Sequence, residues 1–403
     1  MLNLNTVNKE KFNASESMED SYSPSLALAV LVIIFILFGL TMLYSTSSGT
    51  SATKEHVYWG ITLSNDLIFF IKQTAWAFVG SSAAFFIFLI GYKKLTIFTY
   101  PMLIVAGIAL IIALAFPATN GAHRWIKVKK LFSLQPSEFA KIAVIVYLSD
   151  FLSKKQRFFM RKQGLIELLK TIYPALLWCG AILALIIVGE DLGTTVLLAT
   201  TIWVMFFIAG LRLRWLIIPP VLFGIPLGFY IYYFDNMRLN RILSFLNPEK
   251  VSATTGYQLW NSLLALGSGG WFGLGFTQSR MKARYLPEAH TDFILSIVGE
   301  ELGFITILMV IIGYIAITSI GIWIAVRAKN KALMLLASGA VTLLAVQALI
   351  NLGVVSGSLP TKGMPAPFIS YGGSNMVMSL TCIGLLLMVE REKKNGSKAV
   401  YYE

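Results

Sequence analysis

The stretch RYLPEAHTDFILSIVGEELG, Arg284–Gly303, decides the fold. Its first half is polar and carries Glu288, His290 and Asp292; its second half is apolar and runs on to residue 326. A helix that enters hydrocarbon at this junction rises about 1.5 Å per residue, so Glu300 lies about 12 Å deeper than Asp292. Carboxylates inside a bilayer are costly unless paired or facing water. Asp292, Glu300 and Glu301 are therefore either chemical groups or members of structural ion pairs.

Outward from this stretch the chain reads as an all-α polytopic membrane protein. Of its 403 residues 56% are hydrophobic and 13% charged, too apolar for a soluble domain. About ten apolar runs match the length a bilayer requires, near 26–46, 67–91, 95–116, 137–153, 171–189, 192–210, 214–234, 293–326, 333–356 and 372–390. The eighth is longer than a span needs, which predicts a tilted or partly protruding helix. The first is too long for a signal-peptide core and lacks a cleavage pattern, so it reads as a spanning helix. The organisation is a polar tail over 1–25, a ten-helix domain over 26–390 and a basic tail over 391–403.

The net charge of +13 suggests nucleic acid in a soluble chain, but here it follows topology. Lys93, Lys94, Lys154, Lys155, Arg157, Arg212, Arg214, Arg327, Lys329, Lys331, Arg391 and Lys393 all fall in loops or tails on one side. The positive-inside rule then puts both termini in the cytoplasm and removes nucleic acid as a partner. Cys179 and Cys382 lie in apolar segments, and the three histidines are scattered, so neither a disulfide framework nor a zinc site is indicated.

Two outer loops break the charge rule. Residues 117–136 carry Arg124, Lys127, Lys129 and Lys130, and the large loop 235–292 carries Arg238, Arg241, Lys250, Arg280, Lys282 and Arg284. Cations placed against the bias point to an anionic ligand outside, with phosphate the natural candidate; the alternative is attraction to lipid head groups. Within the large loop, GYQLWNSLLALGSGGWFGLGF (Gly256–Phe276) reads as an interfacial helix followed by a glycine-dense turn. Those glycines serve either a phosphate-cradling nest or a conformational need. The last outer loop, GSLPTKGMPAPFISYGG (Gly357–Gly373), reads as a rigid re-entrant segment that lines a cavity.

Polar residues inside the spans add detail. Glu138 and Lys141 share a helix face and can pair, although a cross-helix Lys141–Glu300 pair is the preferred reading. Glu190-Asp191, at the outer end of the fifth span, is placed to cap the sixth. Gln347 and Asn351, four apart, read as interhelical hydrogen-bonding groups.

Several motifs together carry a family resemblance: FGLTMLYSTSS, NGAHRWIKV, FSLQPSEFAK, EDLGTT, NRILSFLNP, GYQLWNSLLALGSGGWFGLG, LPEAHTDFIL, GEELG and LPTKGMPAPFISYGGS. The chain resembles the SEDS family of bacterial envelope proteins (shape, elongation, division, sporulation) over nearly all its length outside the tails. Thr361, Lys362 and Gly363 resemble its septal-division, FtsW-like branch more than its elongation, RodA-like branch. Ala366, Asn375 and His123 depart from the family's usual residues.

The resemblance implies a peptidoglycan glycosyltransferase that polymerises lipid II on the outer face of the bacterial cytoplasmic membrane at the division septum. Displacing polyprenyl pyrophosphate with inversion needs one base for the acceptor hydroxyl and positive charge for the leaving group. The family aspartate maps onto Asp292, the expected general base. Trp125, Arg124, Lys127, Arg238, Arg241, Arg280, Lys282, Arg284, Glu288, His290, Lys362 and Ser370 form the expected substrate-binding set, and Lys141, Glu138 and Glu300 the structural ion pairs.

No cofactor is demanded by any spacing, although Asp235, Glu249, Glu288 and Asp292 offer oxygens for a divalent cation such as Mg or Mn. The implied partners are lipid II and the undecaprenyl-pyrophosphate-linked glycan, a class B penicillin-binding protein transpeptidase, and other division membrane proteins. The competing readings are a lipid II flippase and a non-catalytic division scaffold. No inverted repeat in the hydropathy pattern supports a flippase.

Overall fold

The computed structural model describes residues 24–400 apart from 49–55, 59–60, 64, 119–121, 129–131, 160, 162–163, 235 and 255. The elements in chain order are α1 (Pro24–Ser48), β1 (His56–Tyr58), β2 (Ile61–Leu63), α2 (Asn65–Ile90), α3 (Tyr92–Ile97), α4 (Thr99–Ala115), β3 (Ile126–Val128), β4 (Phe132–Leu134) and α5 (Pro136–Lys154). Then come α6 (Gln156–Phe159), α7 (Leu165–Val188), α8 (Leu192–Ala209), α9 (Leu213–Phe234), α10 (Asn236–Leu246) and α11 (Tyr257–Ser268). The chain closes with α12 (Met281–Arg284), α13 (Ile294–Val326), α14 (Lys331–Val355) and α15 (Gly373–Val400). Two short antiparallel hairpins, β1–β2 and β3–β4, interrupt the helices, the second with Lys127 opposite Ser133.

A helix occupies each of the ten expected spans. Eight of them are long and apolar enough to cross a bilayer by length and composition. The other two are α4, an apolar helix only 17 residues long, and α5, which carries Glu138, Lys141, Asp150 and Lys154. The α5 helix tolerates its charges because it is the central post, buried along most of its length and packed by α4, α8, α14 and α15. The tightest helix pair is α2 with α15, where small residues let the backbones approach. Gly373 lies against the Trp76 ring and Gly384 against the backbone of Ala84.

The eighth span is not one tilted helix. Gly303 has φ 81° and ψ −179°, which divides α13 into 294–302 and 304–326. The second piece alone reaches about 34 Å at 1.5 Å per residue, enough to cross hydrocarbon. The first piece is free to form a short, buried half-helix on the outer side.

The glycine-dense turn supplies the hydrogen bonds that this break removes. Leu274 N–H donates to Glu300 O (2.9 Å) and Gly275 N–H to Glu301 O (3.0 Å), while Phe304 N–H donates to Gly270 O (2.9 Å) and Ile305 N–H to Trp271 O (3.3 Å). Side chains at Gly269, Gly273 or Gly303 would collide with the facing backbone, namely Gly299 O, Glu301 O and Gly273 N. The glycines therefore serve backbone docking. Their neighbouring N–H groups are spent on α13, which rules against the anion-nest reading for this turn. The preceding α11 is docked on protein rather than lying free at an interface: Ser262 Oγ donates to Val355 O (2.9 Å) and Asn261 Nδ2 to Tyr285 O (2.9 Å).

Candidate active site

Asp292 sits one residue before Phe293, the cap of the α13 half-helix, in a turn that begins at Glu288. The turn is held by Glu288 O, which accepts from Thr291 N (3.1 Å) and Phe293 N (3.4 Å), with Glu288 itself at φ 57°. Among the described residues, no N–H or O–H group donates to the Asp292 carboxylate. Burial pushes its pKa up, the nearby Glu288 charge pushes it further, and Arg124 acts in the opposite direction; the result is a carboxyl pKa of about 7. A carboxyl poised at that value is matched to taking a proton near neutral pH.

The walls around Asp292 come from three directions. Gly363 lies so close that a Cβ there would stand 2.7 Å from Asp292 Oδ2. Lys362 precedes it, half-buried. His290, two residues before Asp292, meets the rings of Phe69 and Tyr371 with centroids 5.0 and 5.8 Å away, and its carbonyl accepts from Tyr371 N (3.0 Å). Burial lowers the His290 value while Glu288 opposes it.

Arg124 is the third wall and is itself positioned. Its Nη1 lies 3.8 Å from Asp191 Oδ1, and its charge acts on Asp292. Asp191 is buried and caps α8 as expected, accepting from Thr194 N (3.2 Å) and Thr194 Oγ1 (2.9 Å) and from Gln135 Nε2 (2.8 Å). Trp125 follows, half-buried, and Lys127 is exposed on β3. The side chains of Arg238, Arg241 and Arg284 lie outside the described residues, as does Asp235.

While Lys362 and Gly363 line the Asp292 site, the second half of the loop 357–372, from Met364 on, is threaded into protein. Its carbonyls are met one after another: Asn351 Nδ2 donates to Met364 O (2.7 Å), Gln347 Nε2 to Pro365 O (2.9 Å), Tyr314 Oη to Pro367 O (2.7 Å) and Gln73 Nε2 to Ser370 O (3.1 Å). Gln347 and Asn351 thus tie α14 to this loop more than to another helix. Irregular backbone survives at membrane depth because these four carbonyls find side-chain donors from neighbouring helices.

Three expectations need correction. Lys282 was expected on the leaving group; it is buried, with Nζ donating to Glu301 Oε1 (2.9 Å), Ser45 O (3.0 Å) and Ser45 Oγ (3.2 Å). It anchors the large loop to α1 and α13. Ser370 was expected on substrate; it is 1% exposed and its Oγ accepts from Ala366 N (2.8 Å), so it folds the loop. The cross-helix Lys141–Glu300 pair is not formed. Lys141 Nζ lies 2.9 Å from both Glu138 oxygens, and Glu300 instead accepts from Ser279 Oγ and from Arg280 N (2.8 Å). The Arg280 contribution is its backbone; its side chain is exposed.

Among the described residues, no three His, Cys, Asp or Glu side chains converge to hold a metal ion. Of the four carboxylates offered by the sequence for a divalent cation, Glu288 and Asp292 are near enough to act on one another. Phe69 and Tyr371, whose rings meet His290, were not singled out, and Gly363 entered only through the branch resemblance rather than as a site residue. Tyr371 lies within LPTKGMPAPFISYGGS, whose other residues carried the argument, and Phe69 lies in none of the quoted motifs.

A family model described as cell cycle protein, spanning FtsW, RodA and SpoVE, matches residues 25–395. The chain is 36% identical over 376 residues to the probable peptidoglycan glycosyltransferase FtsW of Geobacter metallireducens, covering 92% of this chain and 95% of that protein. It is 35% identical over 375 residues to stage V sporulation protein E of Bacillus subtilis, covering 92% and 97%. Among solved structures, a peptidoglycan synthase complex that coordinates polymerization and crosslinking matches with a TM-score of 0.73 at 22% identity, covering 91% of this chain and 98% of that one. Rod shape determining protein RodA of Thermus thermophilus matches at 0.64 and 23% identity, covering 91% and 96%. These two likenesses establish the shared fold, and the sequence match establishes that the chain belongs to the FtsW/RodA/SpoVE family of cell cycle proteins.

Proposed function

We infer that this multi-pass membrane protein is a peptidoglycan glycosyltransferase that polymerises lipid II into β-1,4 glycan at the outer face of the cytoplasmic membrane, with Asp292 as general base. The observation that carries the assignment of Asp292 is its carboxylate: no described group donates to it, burial and Glu288 raise it to about 7, and it stands at the mouth of a membrane helix. In the reaction, the acceptor hydroxyl loses its proton to Asp292 as its oxygen bonds to the donor's anomeric carbon. The bond from that carbon to the polyprenyl pyrophosphate breaks, the electron pair leaves with the pyrophosphate, and an α linkage becomes β. Pyrophosphate leaves without a proton, so one carboxylate suffices. Arg124, fixed by Asp191, and Lys362, beside Gly363, supply positive charge for the departing group.

The named relative FtsW supports the activity, and the structural likeness to a synthase complex supports a class B transpeptidase as the partner at the septum. Purified protein with and without that partner, given lipid II, tests the reading. Polymer from the wild type supports the glycosyltransferase; lipid II crossing a liposome bilayer without polymer supports a flippase instead.

A further inference from the structure

We propose that Asn351, on α14, is the positioning residue that sets the Asp292 carboxylate against the Thr361–Gly363 segment; the proposal rests on Asp292 as base. One amide does this with two hydrogen bonds. Asn351 Nδ2 donates to Asp292 O (2.9 Å) and to Met364 O (2.7 Å), so a single planar group joins the catalytic turn to the re-entrant loop. The side chain is 1% exposed and sits four residues after Gln347, whose Nε2 holds the next carbonyl, Pro365 O, and Asn375 Oδ1 (2.5 Å).

The consequence reaches the carboxylate through Gly363. That residue immediately precedes Met364, and its Cα faces Asp292 Oδ2 closely enough that a Cβ would crowd it. Fixing Met364 O and Asp292 O to the same amide therefore fixes the gap between Gly363 and the carboxylate. Gly363 leaves one side of the carboxylate uncovered, and Asn351 keeps that side from closing or drifting. A base must lie within hydrogen-bond reach of its proton, and misplacement by about 1 Å costs about a hundredfold in rate. The groups whose charge the carboxylate meets are Glu288 from its own turn and Arg124 from the segment before β3, with Lys362 beside Gly363 on the loop. A carboxylate released from Gly363 redistributes among them.

The role is separable from ordinary loop stability because α14 carries its own control. Gln347 is as buried as Asn351 and bonds the same loop, but it does not touch Asp292. Asn351→Leu keeps the volume and removes both donors. Gln347→Leu removes loop anchors while leaving the Asp292 carbonyl held.

The test is lipid II polymerisation by the full chain with its transpeptidase, measured as kcat, KM and a pH–rate profile for wild type, Asn351→Leu, Gln347→Leu and Asp292→Asn. The expected result for Asn351→Leu is a fall in kcat of about tenfold or more with KM within about twofold. Its acid limb should move by about half a unit or more, a movement that Gln347→Leu does not show. If Asn351→Leu does not accumulate in the membrane, Asn351→Ser, which keeps one donor in less volume, is measured in its place with the same expectations. An unshifted limb and an unchanged kcat in the Asn351 variant, with Asp292→Asn inactive, overturns the positioning role alone. An active Asp292→Asn overturns the base assignment beneath it.

Discussion

Two groups of carboxylates stand at the same helix, eight or nine residues apart, and the protein treats them in opposite ways. Glu300 and Glu301 are fully buried, and described neighbours donate to all four of their oxygens: Ser279 Oγ and Arg280 N for one, Ser45 Oγ, Ser279 N and Lys282 Nζ for the other. Asp292 is half-buried, and its carboxylate meets a bare glycine face and the like charge of Glu288. The satisfied pair holds α1, the large loop and the broken helix together. The Asp292 carboxylate has no donor among the described residues and a raised pKa, and that marks it for chemistry.

The largest effect expected from this contrast is on stability at the satisfied site. Lys282→Met strands Glu301 as a buried charge, and about 3 kcal/mol or more of stability should be lost. Thermal unfolding in detergent reads it, and a wild-type midpoint would break the comparison from the structural side. Gly303→Ala comes next, because it puts a side chain at positive φ against Gly273 N and Trp271 O; about 2 kcal/mol should be lost by the same assay.

At Asp292 the sign reverses. Its folded-state pKa is raised from the ordinary carboxylate 3.8 to about 7, so the folded protein keeps a proton that the unfolded chain has released between those values. Stability therefore falls as pH rises through that window, and above about 7 the ionised carboxylate remains a cost. Asp292→Asn should unfold at a temperature a few degrees higher than wild type at pH 8, with the gap closing toward pH 4. A variant less stable than wild type at pH 8 would mean that the carboxylate has a partner.

Glu288→Gln sharpens the same point with a smaller effect. Glu288 raises Asp292, so removing its charge should move the acid limb of polymerisation downward by about half a unit. Smallest of all, Arg280→Ala should change stability by less than about 0.5 kcal/mol, since its side chain is exposed and its contribution to Glu300 is the backbone N–H.

Much of this architecture is legible in the chain. The ten apolar runs became helices at the expected positions, because length and hydropathy alone set a bilayer span. The cap at Asp191 follows from a carboxylate placed at a helix start, whereas the Glu138–Lys141 pair, open from their shared face, was passed over for a cross-helix partner that does not form. The break at Gly303 was hidden, since glycine within an apolar run is common in membrane helices, and only its docking against the 267–276 turn reveals its use. Lys282 and Ser370 were misread for a related reason. Charge and hydroxyl are visible in a sequence, but whether a loop side chain turns inward to Glu301 or Ala366 depends on distant elements. Asn351 was visible as a buried amide, and its partners across the loop were not.

The most direct measurement compares glycan polymer made from purified lipid II by wild type, Asp292→Asn and Glu300→Gln, each assembled with the transpeptidase and each scored for folded protein. The account predicts polymer from wild type, a loss of about a hundredfold or more in well-folded Asp292→Asn, and activity in Glu300→Gln that tracks its folded fraction. Polymer from Asp292→Asn at the wild-type rate would contradict it.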